Sequence, residues 1–414
     1  MAASNTHTTL ANLEKGWRKK ATKLYTAFKD KVEEFSWLDD IDDEDITPSG
    51  RENLIPLDIV RGYGAHQVSD GGYEARTVTP AMQEGSFSFV QTNARFFISE
   101  FAKAFNQKAK EAQIVSQIKY QSKKSLEALA RRVAMQFYGF STGAVCESTT
   151  NATAATQTLT LADGFGDSTI DTAAYLLSLF EVGDRIALHR SGTLVTNAMG
   201  EITSKTADAL VVVFDGSVDA DANDVIVMAN GVTGATIAET DYNKWTTGLL
   251  DITTSSALHG LTHAQWVAAL NDTNGGRFGR TKLKKAKQEI ANDGGGKVTD
   301  IVMSQGVEND VEAGEAAGRI YDSSSFDIDQ SVKAKGVTIR TSPLCPPGHA
   351  FIMDKSGWGK KILTEKPAED GMLDWGSLHK SEDRSGYKGG FDMIWATICR
   401  NRGKFVRYAS LTEQ

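Results

Sequence analysis

The sequence predicts an α+β protein carrying a separate, small all-β segment, and three observations set that class. A charged stretch, residues 108–138, repeats apolar residues every three or four positions with no Gly or Pro inside. Residues 145–232 break into short strand-like runs punctuated by Gly and Asp and nearly free of lysine. Beyond residue 241, helical and strand patterns alternate. The whole is 414 residues, 40% hydrophobic, with 45 basic against 53 acidic residues and a net charge of −8. That length fits two or three packed units. The charge is too modest for disorder, and its sign argues against a surface devoted wholly to gripping nucleic acid.

The first element is a helix. Leu13, Trp17, Ala21, Leu24, Phe28, Val32 and Phe35 form one apolar stripe, with Lys15, Arg18, Lys19, Lys23, Lys29 and Lys31 opposite. Such a helix docks on protein by its stripe as a rule, although basic amphipathic helices also lie on membranes or nucleic acid. The acidic run "DDIDDED" that follows lacks calcium-loop spacing and reads as a solvated linker. Residues 77–99, "TVTPAMQEGSFSFVQTNARFFIS", alternate like a strand, with Phe87, Phe89 and Gln91 on one side and Ser86, Ser88 and Val90 on the other. A lone two-stranded ribbon is marginal in water, so this one requires a partner. No lysine occurs from residue 32 to residue 102.

The helix over 108–138 carries Val115, Ile118, Ser122, Leu126, Leu129, Val133 and Phe137 on one stripe and stops at Gly139 and Gly143. At about 1.5 Å per residue it is a rod of nearly 50 Å. The runs "QTLTLA", "DRIALHR", "TLVTNA", "GEITSK", "ALVVVFD" and "DVIVMAN" predict a small antiparallel sandwich or barrel over 145–232, set into the chain as an insert. Then come a helix starting at Thr262, a helix "RTKLKKAKQEIAND", a strand "KVTDIVMS", a helix "GVENDVEAGEAA" and strands "GVTIRT" and "HAFIMD" around a Pro-rich turn. Two final strands joined at Asn401-Arg402-Gly403 predict a hairpin.

No catalytic constellation emerges. Cys146, Cys345 and Cys399 are isolated, which fits a reducing compartment and core packing. "NDGGGKV" departs from a phosphate loop, because Ala291 stands at the first glycine and Val298 follows Lys297; a helix C-cap accounts for its glycines. His259 and His263 have i, i+4 spacing but no third ligand. Lys282, Lys284, Lys285 and Lys287 lack interleaved aromatics, and a solvated face is the default ahead of nucleic-acid contact. No signal peptide or span of about 18 apolar residues is present, so a cytoplasmic, membrane-free chain is expected. What the sequence offers instead is unpaired structure: an amphipathic arm, a protruding ribbon and a one-striped rod, the marks of a chain completed by copies of itself.

In this order the parts resemble the major capsid protein of tailed bacteriophages, the Hong Kong 97-type fold. Residues 1–57 resemble its N-terminal arm, 58–99 its E-loop hairpin and 100–144 the spine helix of its peripheral domain. Residues 145–232 resemble a β-rich insert. Residues 233–372, with "VTDIVMSQGVENDVEAG" and "GVTIRTSPLCPPGHAFIMD", resemble the axial domain, and 373–414, with "FDMIWATICRNRGKFVRYASL", the strands that complete the peripheral domain. The resemblance implies a structural protein, not an enzyme, with no cofactor. Copies would form hexamers and pentamers of an icosahedral virion shell, assembled in host cytoplasm around double-stranded DNA held without sequence specificity. Scaffold and portal proteins are the further partners it implies, with a cement protein as an optional one and no membrane. Contacts between copies would fall to Leu13, Trp17, Leu24 and Phe28 of the arm, Phe87, Phe89, Phe96 and Phe97 of the ribbon, and Pro343 and Pro346 of the axial loop 342–348. The insert would brace neighbouring copies from the outer surface.

Two departures matter. Some family members crosslink an E-loop lysine to a neighbour's asparagine, and this ribbon has no lysine to use. The helix starting near residue 108 also leaves too little chain for a cleaved scaffolding segment plus an arm, so an uncleaved chain with a separate scaffold is expected. Two other readings remain at this stage: an encapsulin-like nanocompartment shell, and a cytosolic enzyme with a β insertion.

Overall fold

This computed structural model describes residues 112–230, 239–262, 266–319, 337–362 and 386–413 as continuous runs, with residues 32, 34, 37–42, 46–49, 52–60, 81–99 and 379–380. In chain order the elements are β1 (Asp39–Asp40), β2 (Thr47–Ser49), β3 (Glu52–Val60), β4 (Ala81–Phe87), β5 (Val90–Ser99), α1 (Ala112–Tyr138), β6 (Ala144–Ser148), β7 (Ala152–Ala162), α2 (Ala173–Ser178), β8 (Arg185–Arg190), β9 (Thr193–Lys205), β10 (Ala209–Ala220) and β11 (Asp224–Asn230). There follow β12 (Glu239–Thr240), α3 (Leu249–Thr254), β13 (Leu270–Asp272), α4 (Arg280–Asp293), β14 (Asp300–Met303), α5 (Gln305–Arg319), β15 (Thr338–Thr341), β16 (Ala350–Met353), β17 (Trp358–Ile362), β18 (His379–Lys380), β19 (Gly386–Cys399) and β20 (Phe405–Tyr408). The chain divides into two compact units, the described part of the first drawn from residues 32–41, 89–99, 112–135, 360–362, 379–380 and 386–396.

The first unit is organised by a sheet in the order β1-β17-β19-β18, with β5 also paired to β19. β5 and β19 run antiparallel from Val90 opposite Trp395 to Ser99 opposite Gly386. Within that ladder the buried Trp395 indole donates to Thr92 Oγ1 at 3.2 Å. At the sheet's far edge Lys360 ties down the segment before it, donating to the Leu38 carbonyl at 2.7 Å. Val32, Trp37, Leu38 and Ile41 are all buried.

The second unit holds a three-stranded sheet, β2-β3-β4, and two larger sheets. β6 to β11 pair in the ring β11-β6-β7-β10-β9-β8-β11, every pair antiparallel, so the sheet closes into a six-stranded barrel with β12 attached to β11. Alternation decides which side chains fill it, since successive residues of a strand face opposite sides. Ile186, Leu188, Ile202, Leu210, Val212, Phe214, Ile226 and Met228 are buried as one set. On the other side of β8 and β11, Ala187, Met199, Val227 and Ala229 form a small cluster with Tyr242. The predicted antiparallel strands over 145–232 are therefore present, and the barrel alternative is the one realised.

The remaining sheet runs β13-β20-β16-β14-β15, parallel at β13–β20 and β14–β15 and antiparallel between. One face carries Ile301, Met303, Ala350, Ile352, Val406 and Tyr408, which pack against Leu283, Ala286 and Ile290 of α4 and Val307 of α5. The other carries Val302, Phe351 and Arg407 in register. This is the expected α+β unit, with helices on one side of the sheet.

Four readings of the sequence are corrected. The long helix is not single-striped to its end, because Val133 to Tyr138 are buried all round. Its end abuts the segment before α3 so closely that a Cβ on Gly248 would lie 2.3 Å from the Gly139 carbonyl oxygen. Residues 77–99 are not one ribbon: the alternation is interrupted at Ser88–Phe89, β4 pairing with β3 and β5 with β19. No helix runs from Thr262 among the described residues there. The Ala269 amide donates to Phe405 at 2.9 Å and the Trp266 carbonyl accepts from Arg402 at 3.0 Å, which commits that backbone to β20 and its turn.

Finally, β19 and β20 form no hairpin. β19 belongs to the first unit's sheet and β20 sits between β13 and β16. The turn that joins them is an anchor. Arg402, 1% exposed, donates to the carbonyls of Ile252, Trp266 and Ser255 at 2.7, 3.0 and 2.6 Å. Two of those carbonyls lie at the C-terminal end of α3, where unsatisfied oxygens favour a cation.

Candidate assembly surface

The predicted contact residues are placed unequally. Leu13, Trp17, Leu24 and Phe28 lie outside the described residues. Phe87, at the root of the β3–β4 hairpin, is 7% exposed and already covered by its own chain, whereas Phe89 is half-buried. Phe96 and Phe97 pair through their backbones with Gly389 and Lys388 of β19. Within loop 342–348 Pro343 is exposed and Pro346 is buried. Of the expected contact side chains that are described, Phe87 and Pro346 are thus buried within the chain and Pro343 is exposed.

The hairpin's root is fixed by a short chain of hydrogen bonds. The Ser86 amide donates to the His259 carbonyl at 2.9 Å, and the Cys399 amide donates to His259 Nε2 at 3.1 Å. Accepting at Nε2 requires a neutral ring with its proton on Nδ1. Burial, with Arg402 nearby, pushes its pKa down to about 4. His259 is thus a structural acceptor, and among the described residues no group of three or more His, Cys, Asp or Glu is placed to hold a metal ion. The thiol of Cys399 is pushed up to about 12 by burial, which makes it an inert core group.

The loop that loosely resembles a phosphate cradle is a helix end. The Gly294 amide closes onto the Ile290 carbonyl at 2.9 Å and Gly295 has φ +60°. The Asp354 carboxylate accepts from the Lys297 amide at 3.1 Å and from Ser356 at 2.8 and 3.1 Å. The amides that a phosphate would need already have an anion of the protein's own.

A buried polar network, invisible in the spacing of its residues along the chain, joins barrel and sheet. Arg407 on β20, its side chain 2% exposed, donates to Asp167 at 2.7 Å, to Thr169 at 2.8 Å and to His349 Nε2 at 2.9 Å. His349 Nδ1 in turn donates to the Pro347 carbonyl at 2.7 Å. Burial, with Arg407 beside it, pushes His349 down to about 4, so the ring is neutral and able to accept. Burial alone would raise Asp167, but Arg407 and the Thr169 hydrogen bonds outweigh it and hold the carboxyl below its ordinary value. Tyr175 of α2 adds a second strap, donating to the Leu344 carbonyl at 2.7 Å. The loop 342–348 is therefore shaped from below by α2 and by the barrel's 163–170 loop.

No family model and no curated protein matches the chain. Solved structures do. The chain is similar to the cyanophage A-1(L) capsid asymmetric unit, with a TM-score of 0.50 and 9% identity, covering 91% of this chain and 92% of that chain. It is also similar to Gordonia phage Cozz (TM-score 0.43, 10% identity, 92% and 86% covered) and to the virus-like particle from Pyrococcus furiosus (TM-score 0.37, 8% identity, 94% and 98% covered), likenesses too loose to argue from. The chain shares its fold with the cyanophage capsid subunit. Among the described residues no helix is long and apolar enough to cross a membrane.

Proposed function

We propose that this chain is the structural subunit of a virion shell, in which copies form hexamers and pentamers that close icosahedrally around double-stranded DNA. The observation that supports this most is the shared fold over 91% of the chain with a cyanophage capsid subunit. On this reading the β3–β4 hairpin is the E-loop, α1 the spine, the β19 sheet the peripheral domain and the β20 sheet the axial domain. The six-stranded barrel is an insert that braces neighbours, and its Asp167–Arg407 attachment to the axial sheet supports a rigid mounting.

The arm residues Leu13, Trp17, Leu24 and Phe28, with Phe89 and Pro343, are the contact residues of this reading. Scaffold and portal are separate proteins, and the DNA is enclosed without base-specific contacts. With no lysine between residues 32 and 102, the shell is held noncovalently at the hairpin. The chain carries out no chemistry and requires no cofactor. Electron microscopy of the purified recombinant chain tests the proposal: closed particles or capsomer rings support it, and a chain that stays monomeric at high concentration and low salt rejects it. Enclosed protein cargo in place of DNA in particles from the native source would move the reading to a nanocompartment shell.

A further inference from the structure

The charges on α4 and α5 divide into those the chain uses and those it leaves outward. On α4, Lys282 donates to the Gly275 carbonyl and lies 5.0 Å over the Tyr408 ring, and Lys285 faces Asp272 at 3.8 Å. Arg280, Lys284 and Lys287 are exposed and make no ion pair or hydrogen bond with the described residues. Their spacing of four and then three residues sets them in one row, with steps of about 6 and about 4.5 Å along the helix. On α5, Asp310 is turned inward and held by Arg277 at 2.8 Å, while Glu308 is half-buried and accepts from Gln305 at 3.0 Å and Glu312 is exposed. Glu308 and Glu312 repeat the four-residue step of Arg280 and Lys284. Both helices lie over the same face of the β20 sheet.

We propose that the α4 row of one copy docks on the α5 row of the next, so that a basic helix meets an acidic helix at each contact around a capsomer. The charge rows are complementary in sign and in step, and the two helices are different surfaces of one chain. Such a head-to-tail contact repeats in one direction and closes into a ring when the rotation permits. Each exposed pair contributes little, so the contact sets partner and register more than strength. The inference rests on the shell reading above.

The test uses two full-length variants, Lys284→Glu with Lys287→Glu, and Glu308→Lys with Glu312→Lys, followed by sedimentation velocity. Each alone juxtaposes like charges and is expected to need about tenfold more protein to assemble. An equal mixture restores opposite charges at every alternating contact and is expected to recover ring formation at native protein concentration and low salt, in even-numbered rings. Matching far-ultraviolet circular dichroism and melting temperatures establish that both variants fold. Native-like assembly of either variant alone, or no recovery on mixing, overturns the inference while leaving the shell reading intact. So does a loss of duplex-DNA retention by the lysine variant with self-association unchanged, which would assign the α4 face to nucleic acid. A native chain that never associates rejects the shell reading and this contact together.

Discussion

Replacing Asp167 with Asn probes the join between the barrel and the β20 sheet. In the native chain the Asp167 carboxylate lies 2.7 Å from Arg407 Nη2, and the two side chains are 11% and 2% exposed. Removing one charge of a buried pair costs about 3–5 kcal/mol, because the remaining ion is left in low dielectric without its counter-charge. Asn keeps a carbonyl oxygen as acceptor, and one retained hydrogen bond is worth about 1 kcal/mol. The net expectation is a loss of about 2–4 kcal/mol. With a urea slope of about 2–3 kcal/mol/M, the unfolding midpoint of the unassembled chain falls by roughly 1 M. Tryptophan fluorescence during urea titration measures it. The double variant Asp167→Asn with Arg407→Met removes both charges, and its cost should be smaller than the sum of the single costs by more than about 1 kcal/mol. A single-variant shift below the resolution of the titration, or strictly additive costs, would refute the assignment of this pair as the fastening.

Stability should also depend on acid through His259 and His349. Both are lowered to about 4 in the folded chain, so between pH 6.5 and 4 the unfolded chain binds more protons than the folded one. Their contribution is complete above about pH 6.5, declines as pH falls towards 4 and levels off below that, by up to about 3 kcal/mol for each ring; thermal melts across this range check it, and His349→Gln should flatten part of the slope. Gly248→Ala places a Cβ 2.3 Å from the Gly139 carbonyl oxygen and 2.6 Å from that of Gln136. Backbone cannot yield as a flexible side chain does, so a cost of about 1–3 kcal/mol and a lower melting temperature are expected. Boiled, denatured particles should run as a single-chain band on a gel, and a ladder of crosslinked oligomers traced to residues 32–102 would contradict the noncovalent hairpin.

Period made much of this molecule legible. The stripe through Leu126, Leu129 and Val133 placed α1, and the alternating runs "DRIALHR" and "ALVVVFD" placed β8 and β10, because burial of one face leaves its spacing in the chain. The partner of a strand leaves no such trace. "FDMIWATIC" and "FVRYASL" read as neighbours from their short turn, yet Arg402 locks that turn to α3 and sends the strands to different sheets. Likewise, the strand pattern through Phe87 and Phe89 continues across the point where β4 ends and β5 begins. The buried charges were the least visible. Arg407 sits in an alternating strand where a solvent-facing residue belongs by pattern, and only the sheet's second covered face explains it. Of the surface residues, Lys284 and Lys287 were legible as charge, but their separation from Lys282 and Lys285, which the chain itself engages, was not.

The position of β20 has a consequence for when the protein is finished. It is an inner strand, flanked by β13 and β16, yet it follows every other strand in the chain. Leu270 waits for Val406, its neighbour in the ladder, while more than a hundred residues of chain come between them. Until residues 405–408 arrive, the sheet is two separate pieces and Asp167 has no cation to meet. Pairings of such long separation form late and slowly. A chain made only as far as residue 404 therefore lacks the platform that shapes loop 342–348.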